Sequence, residues 1–450
     1  MHVDVLVAEI GSTTTVVNAF DRLATEEPRY LGQAMSPTTV EEGDVLQGLN
    51  GAVEALRRLL GAEKLDWELM LASSSAAGGL RMTVHGLVYD MTVKAANEAA
   101  LGAGAVVKMV TAGDLSDSDL KRLEDTRPNI VLLAGGVDYG EKNTAISNAH
   151  KLASLDLQVP VIYAGNTACR DDIRDILGPD TYLVDNVYPR IDQLNVEPTR
   201  RVIQEVFERH IVTAPGMGRV REMVAGDLMP TPGAVMEAAK VLYDVAGDLV
   251  VLDVGGATTD VHSVTMGSEE VARMLIAPEP KAKRTVEGDL GVYVNAANLV
   301  QRMGEEGLSE ELGFPVGRVM ENLPQIPVSQ QEVELVTRLA LEAAEVAMSR
   351  HAGRLRHLYG PAGRTTVAEG KDLTQVRWVI GTGGALTRLP AGRDILNNLC
   401  AKHEPLALYP KEATVLVDEE YIMAALGVLS RRYPEAARRL LAGSLGAEFD

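Results

Sequence analysis

Cysteine and aromatic residues are scarce in this 450-residue chain. The two cysteines, Cys169 and Cys400, lie far apart, which argues against a disulfide-stabilised secreted protein and is typical of the reducing cytoplasm, where we expect this protein. Phe, Trp and Tyr together make up only 4% of the residues, whereas glycine occurs 42 times. A core with so few large rings favours helices packed closely on sheets.

Four further absences narrow the range of functions. No run of about 18 apolar residues occurs, so the sequence predicts no membrane-spanning helix. The opening residues, MHVDVLVAEIG, lack the basic stretch of a signal peptide, and we expect none. Acidic residues exceed basic ones, and the net charge of −20 argues against nucleic-acid binding, which needs a basic surface. The eight histidines also show no metal-ligand spacing.

The most informative stretch is LDVGGATTDVHSV, Leu252 to Val264. A predicted buried strand ends in an acid, Asp253, and is followed by two glycines, two threonines and a second strand. Glycines beside a strand end let backbone N–H groups approach a phosphate without interference from a Cβ atom. The acid is placed to hold Mg²⁺ or to orient a water molecule.

A near copy of this stretch, EIGSTTTVVNAF, runs from Glu9 to Phe20 at the other end of the chain. It has the same order of strand, acid, glycine, hydroxyl run and second strand. Two such hairpins far apart in the sequence suggest two halves of one site that holds a polyphosphate between them.

A third glycine element, GTGGALTRL, follows a predicted strand at Val376–Ile380 and precedes a predicted helix. A helix N-terminus with exposed amides is suited to a nucleotide, although glycine turns after strands are also common in purely structural roles. Between the two hairpins, strands and helices alternate from Leu69 to Asp185. That alternation predicts a parallel sheet with helices on both faces.

The order of these elements resembles the nucleotide-binding fold of actin, sugar kinases and heat-shock chaperone ATPases, whose motifs are called phosphate-1, phosphate-2 and adenosine. Small-residue helices at Gly233–Ala246 and Ile422–Leu429 match the connecting helices of that fold. A closer resemblance is to the MutL/GlmL family, the accessory proteins of adenosylcobalamin-dependent glutamate mutase and related mutases. The segments that carry it span almost the whole chain: VAEIGSTTTVVNAF, ASSSAAGGLRMTVHGLV, VLLAGGVDYGEKN, VIYAGN, LDVGGATTDVHSV and VIGTGGALTRLP.

The resemblance implies an α/β, two-lobed actin-like (ribonuclease H-like) ATPase fold with an inserted parallel α/β module. The expected domain bounds are residues 1–68 for the first lobe, 69–190 for the module, 191–247 for a helical bridge and connecting helix, 248–420 for the second lobe and 421–450 for the C-terminal connecting helix.

The resemblance also implies ATP and Mg²⁺ as cofactors. Glu9 and Asp253 are the expected catalytic acids and hold Mg²⁺ through water. Because the superfamily normally has Asp where this chain has Glu9, the longer side chain puts the rate of hydrolysis in question. The expected nucleotide-binding residues are Gly11, Ser12, Thr13 and Thr14 in phosphate-1, Gly255, Gly256 and Thr258 in phosphate-2, and Gly381, Gly383 and Gly384 at the adenosine.

Two groups of polar residues have open interpretations. Asp260 is either part of the phosphate site or an acid that stabilises the turn. Asp138, Glu141 and Lys142 form either a binding loop at the carboxyl ends of the module strands or a solvated turn. The module lacks the Asp-x-His-x-x-Gly motif, so direct cobalamin ligation is not expected.

Family resemblance implies a reactivating chaperone, an ATPase that frees an adenosylcobalamin-dependent mutase of damaged cobalamin. A γ-phosphate held by both hairpins would close the lobes and change the affinity for that partner. Three alternatives share the fold: a small-molecule kinase, an iron–sulfur activator of a radical dehydratase, and an ATP-binding scaffold. No dedicated kinase base is identified, and Cys169 and Cys400 fall in different predicted domains although a cluster needs four thiolates.

Overall fold

A computed structural model describes residues 1–11, 14–39, 44–75, 80–155, 157–210, 223–224, 228–360, 363–402, 404–447 and 449. The chain divides into two compact units. The first unit comprises residues 1–238 and 424–440, and the second comprises 239–423 and 441–450. In the part of the chain described, no helix is both long enough and apolar enough to cross a membrane.

The strands are β1 (His2–Ile10), β2 (Thr14–Asp21), β3 (Arg29–Pro37), β4 (Asp66–Ser74), β5 (Arg81–Gly86), β6 (Val106–Ala112), β7 (Ile130–Leu133), β8 (Val161–Tyr163), β9 (Tyr182–Leu183), β10 (Leu228–Pro230), β11 (Leu249–Val254), β12 (Thr259–Val264), β13 (Ala282–Glu287), β14 (Arg354–Gly360), β15 (Gly363–Glu369), β16 (Trp378–Thr382) and β17 (Thr414–Val417). The α-helices are Leu46–Leu59, Lys94–Gly102, Asp117–Thr126, Asn143–Ala153, Arg170–Leu177, Glu197–His210, Thr231–Ala246, Glu269–Ala272, Ala296–Met303, Glu305–Leu312, Val316–Met320, Gln330–His351, Gly384–Arg388, Gly392–Ala401, Met423–Leu429 and Pro434–Ser444.

Each unit contains a five-stranded sheet of the same topology. In the first unit the order is β10-β4-β1-β2-β3, and in the second it is β17-β16-β11-β12-β13. The central strand, β1 or β11, forms an antiparallel hairpin with the strand that follows it and pairs in parallel with a strand on its other side. The duplication seen in the two hairpins therefore extends over whole sheets, which confirms the two-lobed actin-like fold.

The first unit also contains the inserted module, whose five strands are all parallel in the order β6-β5-β7-β8-β9. Along β7, Ile130 and Leu132 join the main core of the first unit, whereas Val131 and Leu133 join a second core on the other face. Successive side chains point to opposite faces of a strand, so both faces of this sheet are covered and the strand is apolar throughout. The inserted parallel module is thereby confirmed.

Three strands differ from the expected bounds of the module and the helical bridge, and β3, β13, β14 and β15 were not predicted. Residues from Leu69 were expected to open the module, but they lie within β4 and pair with β1 in the main sheet of the first unit. The module begins instead with β5, in which buried Thr83 and His85 interrupt the apolar pattern. β10 lies in the expected helical bridge and has only three residues, too few to show a period.

Ala234 and Gly427, both in the first unit, let the helices Thr231–Ala246 and Met423–Leu429 meet closely at that point. A Cβ atom added to Gly427 would lie 1.8 Å from the carbonyl oxygen of Ala234, which is less than any real contact. We therefore expect Gly427→Ala to destabilise the first unit by about 1–3 kcal/mol, the usual cost of overpacking. Gly443→Ala, in the second unit, is the control for an added methyl group, because a Cβ atom there would meet no atom within 4 Å. Denaturant unfolding followed by Trp67 fluorescence in a Trp378→Phe background measures Gly427→Ala, and Trp378 fluorescence in a Trp67→Phe background measures Gly443→Ala. Parental stability of the first unit in Gly427→Ala would contradict the crossing.

Three histidines are buried in the described structure, and the pKa of each is lowered. Burial lowers the pKa of His85 to about 4. Burial, with the nearby Arg284 cation, holds the pKa of His262 well below its ordinary value, and burial with neighbouring lysines does the same for His351. Below pH about 6.5 these histidines bind protons in the unfolded chain but not in the folded protein. Above that pH they leave the free energy of unfolding unchanged. Below it, each histidine lowers the free energy of unfolding by about 1.4 kcal/mol per pH unit.

His262→Leu should weaken this pH dependence. Neither ring nitrogen of His262 has a hydrogen-bond partner among the described residues, so leucine removes a titrating group without breaking a bond. Between pH about 7.5 and about 5.5, we expect the variant to lose roughly 1 kcal/mol less stability than the parent. Trp378 fluorescence in a Trp67→Phe background reports the second unit alone, because the chain has 2 tryptophans. Partly exposed His357, in the same unit as His262, is the control position, and an unchanged slope for His262→Leu would refute the assignment.

Candidate nucleotide-binding site

The second-unit hairpin turns at the carboxyl end of β11. The N–H of Gly255 donates to the carbonyl of Thr258 at 2.9 Å and closes the turn. Asp253 lies one residue before the end of β11 and pairs across the hairpin with Asp260. The strand thus places one partly exposed carboxylate, Asp253, beside a turn whose residues Gly256 and Ala257 are exposed.

The first-unit hairpin has the same closure. The N–H of Gly11 donates to the carbonyl of Thr14 at 3.0 Å, and a Cβ atom on Gly11 would lie 2.6 Å from that oxygen. Glycine is therefore required by the turn itself. Glu9 occupies the place of Asp253, but its cross-strand partner is Val16 rather than an acid. The predicted phosphate contacts Ser12 and Thr13 lie outside the described residues.

Hydroxyl groups from β4 lie next to this hairpin. Ser73 pairs with Glu9 and Ser74 with Ile10 in the parallel ladder between β1 and β4. Ser74 Oγ donates to the Ile10 carbonyl at 3.3 Å, and Thr231 Oγ1 donates to Ser73 Oγ at 3.3 Å. Sequence reasoning used this serine run only as a family marker. The register shows that it lies beside the predicted catalytic acid.

The three glycines of GTGG occupy different environments. Gly381 is buried within β16, where an added Cβ atom would lie 2.6 Å from Leu396 Cδ1, so the Leu396 side chain would have to shift. Gly383 has φ +84° and ψ 153°, and its added Cβ atom would lie 2.3 Å from Asp253 Oδ1. Gly384 is exposed, opens the helix Gly384–Arg388, and has no atom within 4 Å of an added Cβ. The structure thus brings Gly383 and Asp253 together.

Asp260 is buried and ion-paired. Its Oδ1 accepts from Nε and Nη2 of Arg284 at 3.0 and 2.7 Å, and the two side chains are 5% and 1% exposed. Its other oxygen accepts from Thr258 Oγ1 at 3.2 Å. Asp260 therefore positions the hydroxyl of Thr258, which is a predicted phosphate contact. Sequence reasoning missed Arg284, because the pattern from Arg284 onward predicts helices, whereas the residue lies in β13.

A second supporting acid was also missed. Asp418 follows β17, is 1% exposed and accepts from Thr382 Oγ1 at 3.0 Å, which ties it to the GTGG element. The N–H groups of Ile422 and Met423 donate to its carboxylate at 3.1 and 2.9 Å, at the start of the helix Met423–Leu429. Burial raises the pKa of Asp418 above its ordinary value, although those N–H groups act in the opposite direction.

The donor chemistry of each hairpin fits Mg²⁺. In the described part of the chain, no three His, Cys, Asp or Glu side chains gather into a metal-binding cluster. Mg²⁺ in nucleotide sites keeps several water molecules and takes one or two carboxylates together with phosphate oxygens. Glu9 in the first unit and Asp253 in the second each offer a carboxylate at a strand end. Either would hold the ion when it arrives with a nucleotide.

In the module, hydrogen bonds from buried and partly buried side chains order the loop after β7. Asp138 Oδ1 accepts from the backbone and hydroxyl of Thr167 at 2.9 and 2.7 Å and from Asn186 Nδ2 at 3.0 Å. Fully buried Asn166 donates to the carbonyls of Gly140 and Glu141 at 3.1 and 3.2 Å. These bonds give Asp138 a structural role in an ordered loop, which favours the turn interpretation for that residue.

Comparison with known proteins places the chain in a family. The family model described as "MutL protein" matches residues 5–445. The chain belongs to the MutL family. A curated relative, Protein MutL of Clostridium tetanomorphum, is 37% identical over an alignment of 455 positions, which covers 97% of this chain and 98% of the relative. The resemblance carried by the glycine-rich segments is thus confirmed for nearly the whole length of this MutL-family protein.

Solved structures show more distant likeness. Nucleotide-free diol dehydratase-reactivating factor is 12% identical with a TM-score of 0.37, covering 96% of this chain and 100% of the other. Nucleotide-free acetone carboxylase is 13% identical with a TM-score of 0.40, covering 95% of this chain and 70% of the other. Likeness of this degree carries no argument about function, and the strand order of the two sheets already establishes the fold.

Proposed function

We propose that this protein binds and hydrolyses Mg-ATP and uses the nucleotide to reactivate an adenosylcobalamin-dependent mutase. The observation that carries the nucleotide proposal is the repeated hairpin. In each unit a central strand carries a carboxylate one residue before its end and turns through a glycine whose N–H closes the loop, at 3.0 Å in one unit and 2.9 Å in the other. In the second unit Gly383 brings the adenosine motif against that carboxylate.

Different residues of the proposed site would bind the phosphates, the metal-bound water and the adenosine. Loop amides and hydroxyls suit the phosphate oxygens, because backbone N–H groups at a glycine turn form an anion-binding concavity. Asp253 and Glu9 suit the positioning of metal-bound water. Exposed Gly384, at the start of a helix, leaves room for the base and ribose. The sequence predicts these roles for these residues, and the geometry within each unit supports that prediction.

Titration calorimetry tests nucleotide binding. We expect the folded protein to bind Mg-ATP and Mg-ADP, and phosphate release to follow in the absence of any small-molecule acceptor. Binding without a trace of phosphate release would favour a scaffold. Phosphate transfer only when a small-molecule pool is added would favour a kinase. No binding of either nucleotide to the folded protein would overturn the proposal.

Family resemblance supports the mutase partner. We expect a cobalamin-dependent mutase from the same organism to be retained differently by the immobilised protein with ATP, with ADP and without nucleotide. A nucleotide changes such an equilibrium only if it binds the two states with different affinities, and γ-phosphate contacts are such a difference. Asp253→Ala is the matched control, because it should remove the nucleotide effect while leaving the rest of the surface unchanged. Equal retention in all three conditions would refute nucleotide-gated reactivation.

A further inference from the structure

Residues after β13 hold the second-unit phosphate loop from one side. Three consecutive loop carbonyls accept hydrogen bonds from four consecutive residues. The N–H of Val292 donates to Gly255 at 3.2 Å, those of Tyr293 and Val294 to Gly256 at 2.9 and 2.8 Å, and Asn295 Nδ2 to Ala257 at 2.7 Å.

The beginning of β12 is held by the same part of the chain. Buried Thr259 donates its hydroxyl to the carbonyl of Leu290 at 2.8 Å. Asp260, the next residue, forms the buried ion pair with Arg284 of β13 and accepts from Thr258. Every residue from 255 to 260 is therefore bound to residues 284–295 directly or through Asp260.

This arrangement determines the direction of the loop amides. In a planar trans peptide the carbonyl and the following N–H point in opposite directions. Because the carbonyls of Gly255, Gly256 and Ala257 are all bound on one side, the N–H groups of the next residues point away from it. Gly256 and Ala257 are exposed, and within the described chain their N–H groups have no hydrogen-bond acceptor. A row of such amides suits an anion such as phosphate.

We propose that Arg284 and Asn295 are positioning residues for phosphate binding, acting through Asp260 and Ala257 rather than by touching the nucleotide. Asn295 Nδ2 also donates to the carbonyl of Gly288 at 2.9 Å, so one side chain links the residues just after β13 to the loop. This inference rests on the proposed nucleotide site and adds a specific requirement: phosphate affinity depends on residues 284–295, whereas adenosine affinity does not.

Gly291 provides a sharp test, with a control outside the supporting segment. A Cβ atom added to Gly291 would lie 2.3 Å from the carbonyl carbon of Ala257 and 2.5 Å from its Cα, so the loop must move. A Cβ atom added to Gly307, in the helix Glu305–Leu312 of the same unit, would meet nothing within 4 Å. A displacement of about 1 Å at a reacting group costs on the order of 100-fold in rate. We expect that loss of turnover in Gly291→Ala, and parental turnover in Gly307→Ala.

Asn295→Asp gives a second, independent variant. It keeps the shape of the side chain but removes the N–H donor and places a carboxylate against the Ala257 carbonyl. Arg284 is less suitable, because removing one partner of a buried ion pair usually unfolds or strongly destabilises a protein. Should Gly291→Ala fail to fold, Asn295→Asp carries the test alone.

The decisive measurement compares ATP with adenosine by calorimetry in each variant. We expect ATP affinity to fall by about tenfold or more, the equivalent of 1.4 kcal/mol, while adenosine affinity stays at the parental value. Parental ATP affinity and turnover in both variants would overturn the inference, as would an equal loss of ATP and adenosine affinity, which indicates general damage. A parent protein that binds no nucleotide would instead refute the proposed function.

Discussion

Asp253→Ala is expected to lower Mg-ATP turnover by on the order of 100-fold or more, because positioning of the metal and its water supplies several kcal/mol in such sites. Asp253 is at the end of the central strand of the second unit, beside the closed turn that begins at Gly255 and in contact distance of Gly383. Alanine removes the carboxylate without disturbing the backbone pairing of β11 and β12. Steady-state phosphate release measures the effect, and a Mg²⁺ titration shows whether the metal requirement rises.

The control for this variant is Asp394→Ala. Asp394 is an exposed acid in the first turn of the helix Gly392–Ala401, in the same unit. It should keep parental turnover, and both variants should unfold at nearly the parental denaturant concentration. Parental turnover in Asp253→Ala would show that this carboxylate has been assigned wrongly.

Gly383→Ala should impair both stability and nucleotide binding. Its backbone, at φ +84° and ψ 153°, lies in a region adopted almost only by glycine, so alanine costs about 1–3 kcal/mol. The added Cβ atom would also lie 2.3 Å from Asp253 Oδ1 and 2.6 Å from the Val254 carbonyl. The carboxylate must move, and we expect ATP affinity to fall by about tenfold or more, a change of 1.4 kcal/mol.

Gly307→Ala separates these effects from the general consequences of adding a methyl group. Gly307 lies in the helix Glu305–Leu312 and has no atom within 4 Å of an added Cβ. Alanine there should raise stability by about 0.5–1 kcal/mol and leave ATP affinity unchanged. Calorimetry and denaturant unfolding measure both variants. Parental ATP affinity in Gly383→Ala would show that the contact between the adenosine motif and Asp253 does not shape the site.

Within each hairpin, local sequence was a sufficient guide. Strand, acid and glycine turn follow one another in a few residues, and the closing bond from Gly11 to Thr14 or from Gly255 to Thr258 depends only on local backbone geometry. The same holds for Gly383, whose unusual backbone demands glycine. Repetition of the motif suggested two halves of one site, and the resemblance of the three glycine elements to a known nucleotide-binding fold implied the actin-like architecture.

Residues that support the hairpins were found only in the folded chain. Arg284 meets Asp260 across strands separated by 24 positions, and Thr382 meets Asp418 across 36. Gly381 belongs to the GTGG motif, yet its immediate neighbour is Leu396 of the core. β5 and β10 also escaped sequence reasoning, because one carries buried polar residues and the other has three residues.

The sequence by itself thus determined the hairpins, the glycine elements and the family, since each depends on a short run of residues. Only the tertiary structure showed which side chains contact and position those short segments. Strand pairing brings together segments from distant parts of the chain, and no local sequence pattern identifies the partner strand. Asn295 illustrates the difference: its amide binds the Ala257 carbonyl at 2.7 Å across 38 positions, with no motif around it to mark the contact.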